Sequence, residues 1–228
     1  MVVRIPDVLD RQSLAMLRAL LEQDPGAWVD GRATAGHQGA KVKRNVQVDE
    51  HSALARKAGD LVVAALERNA LFISAALPHR VYPLLFNRYE GGMQFGDHVD
   101  GAVRLVPGTG AKLRTDLAAT LFISDSAEYD GGELVIDDTY GTHATKLPAG
   151  HMIVYPADSR HRVTAVTRGV RIASVLWVQS LVRDDVRRRL LFDLDTAIQR
   201  LTIGGADDSA RLQLAGCYHN LLRMWAET

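Results

Sequence analysis

The stretch YEGGMQFGDHVD, residues 89–100, places His98 two positions before Asp100. Side chains two positions apart on an extended backbone leave the same face, so this imidazole and this carboxylate can meet at one point. Such a pair suits a divalent first-row metal better than it suits zinc–thiolate chemistry. Because a chain with 8 histidines contains such a pair by chance, the pair needs further partners before it indicates a site.

A second histidine and an arginine supply those partners. A 2-His-1-carboxylate triad needs a histidine from another strand, and His161 lies near the start of the predicted strand RHRVTAV. After the turn-forming residues TRG, Arg171 opens the strand VRIASVLWV. We expect these two strands to form a hairpin that points Arg171 into the metal cavity. The planar guanidinium there suits a small dicarboxylate.

The elements around these residues alternate between helical and extended patterns. Helical periodicity predicts helices over residues 10–21 and 52–71, with a glycine-containing loop over residues 30–45 between them. Short strands separated by glycine turns follow, which predicts an antiparallel sandwich or barrel. The strands are RVYPLLFNRY, DLAATLFIS, GELVIDD, HMIVYP, RHRVTAV and VRIASVLWV. From residue 179 the pattern is helical again, with a Gly-Gly break at 204–205.

Composition excludes several classes of partner. The 27 basic and 27 acidic side chains give zero net charge, so no overall field attracts nucleic acid or anionic lipid. No apolar run is long enough for a signal peptide or a membrane span. Cys217 is the only cysteine, which excludes an internal disulfide and a cysteine-rich metal site. We therefore expect a cytoplasmic protein with no nucleic-acid partner and no membrane association.

At this point the sequence resembles a known family. The order and spacing of its motifs resemble those of the prolyl-4-hydroxylase-type iron(II)/2-oxoglutarate dioxygenases. The motif residues are Tyr89, Gly92, Phe95, His98, Asp100, the GGE at 131–133, the YP at 155–156, His161 and Gly169-Val170-Arg171. The segments WVDGRATAGHQGAKVKRN and LVRDDVRRRLLFDLDTAIQRL are similar to the bacterial PKHD-type hydroxylases, a subfamily associated with iron uptake. The resemblance covers nearly the whole chain.

The resemblance implies a ligand set and a reaction. It makes His98, Asp100 and His161 the iron(II) ligands, and Arg171 the residue that binds the distal carboxylate of 2-oxoglutarate. Tyr89 and Thr120 match positions that contact the same co-substrate, although either could be an ordinary core residue. The implied co-substrates are 2-oxoglutarate and O2, with L-ascorbate as the reductant. The implied reaction hydroxylates a substrate while 2-oxoglutarate is converted to succinate and CO2.

The resemblance also implies a mixed α and β fold with a double-stranded β-helix (jelly roll) core. Flanking N-terminal helices and this core, at about 80–178, form a domain over residues 1–178, and a C-terminal helical subdomain covers residues 179–228. Apolar residues of the tail must pack against the core or a second copy, and we expect a homodimer. These residues are Leu190, Leu191, Leu194, Leu201, Leu212 and Leu214.

Two alternative functions remain at the level of sequence, and the role of the basic loop also stays open. A sensor or binding protein could use the same pocket without turnover, and a cupin-like metalloenzyme could use the same histidines. The basic residues Lys41, Lys43 and Arg44 could form a lid, bind an acidic substrate or lie in a plain connector. The arginines at 187–189 are expected on a solvated face or in ion pairs. The substrate, whether a small molecule or a peptide, is not selected by any motif.

Overall fold

The computed structural model describes residues 1–138, 141–205 and 207–228. Within these ranges the helices are α1 (Arg11–Glu22), α2 (Gly39–Val42), α3 (Ala53–Leu66), α4 (Ala70–Ala76), α5 (Asp185–Ile203) and α6 (Asp208–Trp225). Short 3-10 turns cover Pro25–Ala27 and Gly31–Thr34. None of the helices in these ranges combines the length and the apolar character that a membrane crossing needs.

The strands form the larger part of the fold. In chain order they are β1 (Val3–Ile5), β2 (Trp28–Asp30), β3 (Lys43–Arg44), β4 (Val46–Val48), β5 (Pro78–Val81), β6 (Leu85–Glu90), β7 (Gln94–His98), β8 (Val103–Leu105), β9 (Lys112–Arg114), β10 (Leu117–Phe122), β11 (Tyr129–Gly131), β12 (Leu134–Asp138), β13 (Gly141–Thr145), β14 (Met152–Pro156), β15 (Arg160–Val163) and β16 (Val166–Ser180). Each of the six predicted strand segments contains strand, although RVYPLLFNRY is divided between β5 and β6. Strands β1–β4, β8, β9, β11 and β13 were not predicted.

Two antiparallel sheets form the core. The major sheet has the order β1-β14-β10-β16-β6-β4-β2, with β11 and β5 also paired to β16. The minor sheet has the order β13-β12-β15-β7-β3, and β8 and β9 form a separate hairpin. Side chains of both sheets share one hydrophobic cluster, in which Tyr89 and Phe122 of the major sheet join Ile136 and Val163 of the minor sheet. The predicted jelly-roll core is confirmed.

The major sheet is buried on both faces. Every residue of β10 is buried, because alternate side chains enter two different hydrophobic clusters. Leu117 and Leu121 pack with the N-terminal helices, including Leu17 of α1. Ala118 and Phe122 point the other way, into the space between the sheets. Since strand side chains alternate between faces, the helices cover the outer face and leave the inner face for the site.

Side-chain caps fix where the N-terminal helices begin. Asp10 accepts a hydrogen bond from the backbone N–H of Ser13 at 2.7 Å, which confirms the start of the first predicted helix. The single helix predicted over 52–71 is wrong, because α3 ends at Leu66 and a new helix begins at Ala70. Asn69 causes the break by capping α4 through the N–H of Phe72.

The predicted hairpin between the strands of His161 and Arg171 is also wrong. Strand β15 pairs with β12 and β7 in the minor sheet, whereas β16 pairs with β6 and β10 in the major sheet. Residues 164–165 carry the chain from one sheet to the other, and the N–H of Val166 bonds to Met93 O at 3.0 Å. The TRG residues lie inside β16, where Gly169 adopts a φ of +70°. His161 and Arg171 therefore belong to opposing sheets.

The C-terminal helices are fastened to the core through polar contacts. Arg188 is 2% exposed, donates to the carbonyl of Val182 at 2.6 Å and pairs with Asp185 at 2.9 Å. Arg188 is therefore buried and does not lie on a solvated face. Its pair with Asp185, and that of Arg189 with Asp193 at 3.8 Å, agree with the ion pairs expected for residues 187–189. The N-terminal amino group of Met1 also pairs with Asp185, at 3.0 Å.

Only part of the expected burial of the tail leucines is seen. Leu191 is fully buried against Leu77 and Val182. Leu190, Leu201 and Leu212 are 53%, 38% and 75% exposed, so the core does not provide the expected burial for these three residues.

We predict that Gly169 tolerates no side chain. A Cβ there would lie 2.0 Å from the carbonyl oxygen of Glu128, and the positive φ adds backbone strain. Gly91 is the matched control, because its φ is +53° but nothing lies within 4 Å of an added Cβ. In urea denaturation, Gly91→Ala should lower the free energy of unfolding by roughly 1–2 kcal/mol. Gly169→Ala should lower it by about 3 kcal/mol or more, and equal losses would contradict this account.

Candidate metal centre and co-substrate cavity

Three metal-binding side chains meet at one edge of the minor sheet. His98 ends β7, Asp100 follows it, and His161 lies on β15 directly opposite His98 in the strand register. One ligand atom from each residue lies within 4.8 Å of the other two. The nearest approach of a histidine to the carboxylate is 3.8 Å, between His161 Nε2 and Asp100 Oδ2. The structure thus brings together the three residues that the sequence predicted as ligands.

Backbone carbonyls orient both imidazoles. His98 Nδ1 lies 2.8 Å from the carbonyl oxygen of Gly96, and His161 Nδ1 lies 3.0 Å from that of Ser159. Because a carbonyl oxygen only accepts hydrogen bonds, each Nδ1 must carry the proton. Each Nε2 then keeps its lone pair free for a metal, an arrangement typical of histidine ligands.

Packing favours the neutral form of His98. Its ring stacks on Phe95 with a centroid distance of 3.6 Å. Burial and the neighbouring His161 lower the pKa of His98 to about 4. The imidazole is therefore neutral at neutral pH, which is the form that binds metals. Two imidazoles and one carboxylate, with no thiolate, fit iron(II) as the 2-His-1-carboxylate set does.

Arg171 lies on the facing sheet and is buried, and it forms no ion pair with any of the described residues. Its side chain is 2% exposed, and its Nε and Nη2 atoms have no hydrogen-bond partner in the described part of the chain. The guanidinium carbon lies 5.3 Å from the ring centroid of Tyr89 and 5.4 Å from that of Phe122. A buried cation with unpaired donors is costly unless an anion joins it. The arrangement therefore fits a bound carboxylate, as 2-oxoglutarate would supply.

The glycine pair before Glu133 makes room for this arginine. A Cβ on Gly132 would lie 2.9 Å from Arg171 Cδ and 3.0 Å from Tyr129 Cε2. These distances are shorter than ordinary van der Waals contacts, so a side chain here would push the arginine aside. The GGE motif is explained by the close approach of the arginine stem to the backbone.

Tyr89 and Thr120 lie on the inner face of the major sheet and line the same cavity. Tyr89 is directly opposite Arg171 in the β6–β16 register, and Thr120 is opposite Val175 in the β10–β16 register. Burial raises the pKa of Tyr89 to about 12, so its hydroxyl stays protonated and can donate. Their positions agree with the predicted co-substrate contacts, whose roles remain a prediction.

One cavity joins all of these groups. It has a volume of about 510 Å³ and is lined by both sheets, by residues 34–39 and by the β8–β9 hairpin. Lining residues that the sequence did not single out are Tyr82, Arg104 and Trp177, whereas Lys43 was noted in the basic loop and Tyr155 in the YP motif. Of the basic loop, Lys43 faces the cavity, whereas Lys41 and Arg44 are exposed. The alternation of β3 could have identified Lys43 only if that short strand had been predicted.

Comparison with known families covers most of the chain. Residues 84–179 match the 2OG-Fe(II) oxygenase superfamily, and residues 185–227 match the PKHD-type hydroxylase C-terminal domain. A PKHD-type hydroxylase of Paraburkholderia phytofirmans is 66% identical over 228 residues, which cover 100% of this chain and 100% of that protein.

Solved structures show the same fold at low sequence identity. The non-heme alpha-ketoglutarate-dependent carbocyclase SnoK from nogalamycin biosynthesis has a TM-score of 0.56 and 17% identity, over 79% of this chain and 80% of that chain. A Pseudomonas putida prolyl-4-hydroxylase has a TM-score of 0.52 and 17% identity, over 78% and 92%. The structures support the jelly roll, while the full-length relative and the matched domains show the family. The chain belongs to the PKHD-type hydroxylases and is a 2-oxoglutarate-dependent dioxygenase of the 2OG-Fe(II) oxygenase superfamily.

Proposed function

We propose that the enzyme hydroxylates its substrate and couples that step to the conversion of 2-oxoglutarate to succinate and CO2. In this proposal His98, Asp100 and His161 hold iron(II), and Arg171 binds the distal carboxylate of 2-oxoglutarate. The observation that carries it is the buried, unpaired guanidinium in the same cavity as a His-Asp-His cluster. Neither feature alone needs a keto acid, but together they match one ligand that is both a chelator and a carboxylate.

Iron(II) held by His98, Asp100 and His161 would supply the oxidising chemistry, in which one oxygen atom of O2 would enter the substrate and the other would enter succinate. The protein's own residues position the reactants. The carbonyls of Gly96 and Ser159 fix the imidazole tautomers, so that both Nε2 atoms would be free to hold the ion. Arg171 provides a paired set of donors for the far end of the keto acid. In this proposal Tyr89 and Thr120, which line the cavity on the inner face of the major sheet, contact 2-oxoglutarate as well.

The side chains around the His-Asp-His cluster affect how far water can reach the reacting groups. Tyr155 is fully buried beside His161, with ring centroids 5.2 Å apart, and burial raises the pKa of its hydroxyl. Apolar residues of both sheets pack around His161, which is buried, whereas His98 and Asp100 are partly exposed at the open side of the cavity. Five expectations stay predictions from the sequence. They are ascorbate as the reductant, the cytoplasmic location, the homodimer, the lack of a nucleic-acid partner and the domain boundary at 178/179.

We predict a visible charge-transfer band when the anaerobic protein receives iron(II) and then 2-oxoglutarate, because the keto acid chelates the ion. His161→Ala should remove the band by deleting one ligand. His219→Ala is the control, since His219 is exposed on α6. Succinate formed after O2 is admitted separates an enzyme from a non-catalytic binding protein. A protein loaded with iron that gives no band would overturn the proposed chelation.

We predict that Arg171→Met weakens 2-oxoglutarate binding about 100-fold, because charged hydrogen bonds are each worth about 1.5–3 kcal/mol. Methionine keeps much of the side-chain volume, so iron(II) affinity should change less than about threefold. Arg168→Met is the matched control, because Arg168 lies on the same strand, is exposed and pairs with Asp130. Titration of the band with 2-oxoglutarate measures both variants. Equal affinity in the wild type and Arg171→Met would remove Arg171 from the site.

A further inference from the structure

The cavity contains a second buried cation besides Arg171. Lys43 on β3 is only 6% exposed, and its Nζ lies 3.2 Å from Gln47 Oε1 and 3.3 Å from Thr34 Oγ1. Both partners are neutral, and no carboxylate of the described residues lies within ion-pair distance of Nζ. Burial and the charge of Arg104 lower the pKa of Lys43 to about 8, so the amine is still mainly protonated at neutral pH.

Arg104 on β8 supplies a third cation, held between two aromatic rings. Its guanidinium carbon lies 3.9 Å from the ring centroid of Trp177 and 4.6 Å from that of Tyr82. The rings themselves meet edge to face at 5.6 Å. Stacking of this kind fixes the guanidinium plane without an acid. In the described part of the chain, Arg104 forms no ion pair.

In the cavity wall formed by Lys43, Arg104 and Trp177, the hydrogen-bonding nitrogen atoms are all donors. Arg104 Nε and Trp177 Nε1 are buried donors with no partner among the described residues. Lysine, arginine and indole nitrogens donate and do not accept. A ligand that satisfies them must therefore bring acceptors, and the charges of Lys43 and Arg104 favour a negative group.

The charge balance of the cavity points to the same ligand class. Among the described lining residues, three cationic side chains, Lys43, Arg104 and Arg171, face one carboxylate, Asp100. Iron(II) and doubly ionised 2-oxoglutarate cancel each other, so the loaded site keeps an excess of positive charge. The other carboxylates whose charge acts on Lys43, Asp30 and Glu50, do not line the cavity.

The cavity also has more room than a five-carbon keto acid needs. Its volume of about 510 Å³ lies in the range typical of sites for larger organic ligands, roughly 300–1,000 Å³. Apolar side chains of Val103 and Leu105 flank Arg104 and line the same space. The wall thus combines cations with an aromatic and aliphatic surface.

We propose that the substrate is a small organic acid, whose carboxylate is bound by Lys43 and Arg104 and whose apolar body packs against Tyr82 and Trp177. This inference rests on the proposed function, since it assigns the substrate class of the same site. Lys43 and Arg104 are specificity residues here. They come from segments outside the strands that carry the His-Asp-His cluster and Arg171.

The test uses the full chain, loaded anaerobically with iron(II) and saturating 2-oxoglutarate, and calorimetric titration with straight-chain alkanoates from butanoate to octanoate. Affinity should rise about threefold for each added CH2 group that packs on the apolar wall. The matching alkanamides, which have the same shape and no charge, should bind at least about 10-fold more weakly. The charge-transfer band first verifies that the protein is loaded.

Variants then assign the effect to the two cations. Lys43→Gln and Arg104→Gln should each weaken alkanoate binding about 10-fold or more while leaving the affinity for 2-oxoglutarate unchanged. Lys41→Gln is the matched control, because Lys41 lies on the same segment but is exposed and outside the cavity. Arg104→Lys should bind better than Arg104→Gln, since it keeps the charge.

The outcomes separate this inference from the proposed function. If the band does not form, chelation of the keto acid fails and the proposed function falls. If the band forms but no alkanoate binds, or amides bind as tightly as acids, the substrate class is wrong. Wild-type alkanoate affinity in both Lys43→Gln and Arg104→Gln would show that the acid is bound elsewhere.

Discussion

The site depends on the burial, inside a β-sandwich, of a guanidinium that forms no ion pair with the described residues. Desolvating a cation without a counter-charge costs several kcal/mol, so the fold must hold Arg171 in place against that penalty. The rings of Tyr89 and Phe122 face the guanidinium, and Gly132 leaves space for its stem. The free protein is thus arranged for an anion, and binding the anion removes the penalty.

The stability that offsets this penalty comes from the other face of the same sheet. Alternate residues of β10, β14 and β16 pack against the N-terminal helices in the larger hydrophobic cluster. Since burial of apolar area stabilises a fold by about 25 cal/mol per Å², a fully packed outer face supports polar groups on the inner face. The outer face of the sheet therefore stabilises the fold and the inner face forms the site, although each strand contributes to both faces.

The residues of the site could be predicted from the sequence more completely than the path of the chain that joins them. His98, Asp100, His161 and Arg171 were predicted to share a site, and the structure places them in one cavity. The path that joins them was predicted wrongly, because TRG was interpreted as a turn although it lies inside β16. The chain crosses between the sheets at residues 164–165, where no glycine or proline indicates a turn. Lys43 and Arg104 were not recognised as a pair, because they lie 61 positions apart in short strands with weak alternation.

The residues proposed for the chemistry and those proposed for substrate recognition lie in different parts of the fold. His98, His161 and Arg171 lie on the paired strands β7, β15 and β16 of the two sheets, where backbone ladders fix their positions, and Asp100 follows directly after β7. Lys43 lies on a two-residue edge strand, and Arg104 lies on a hairpin outside both sheets. Changes at such peripheral segments disturb few ladder hydrogen bonds, so they can alter the substrate without disturbing the ligand geometry. A jelly roll with a fixed metal site can therefore serve different substrates through the segments that cover its open edge.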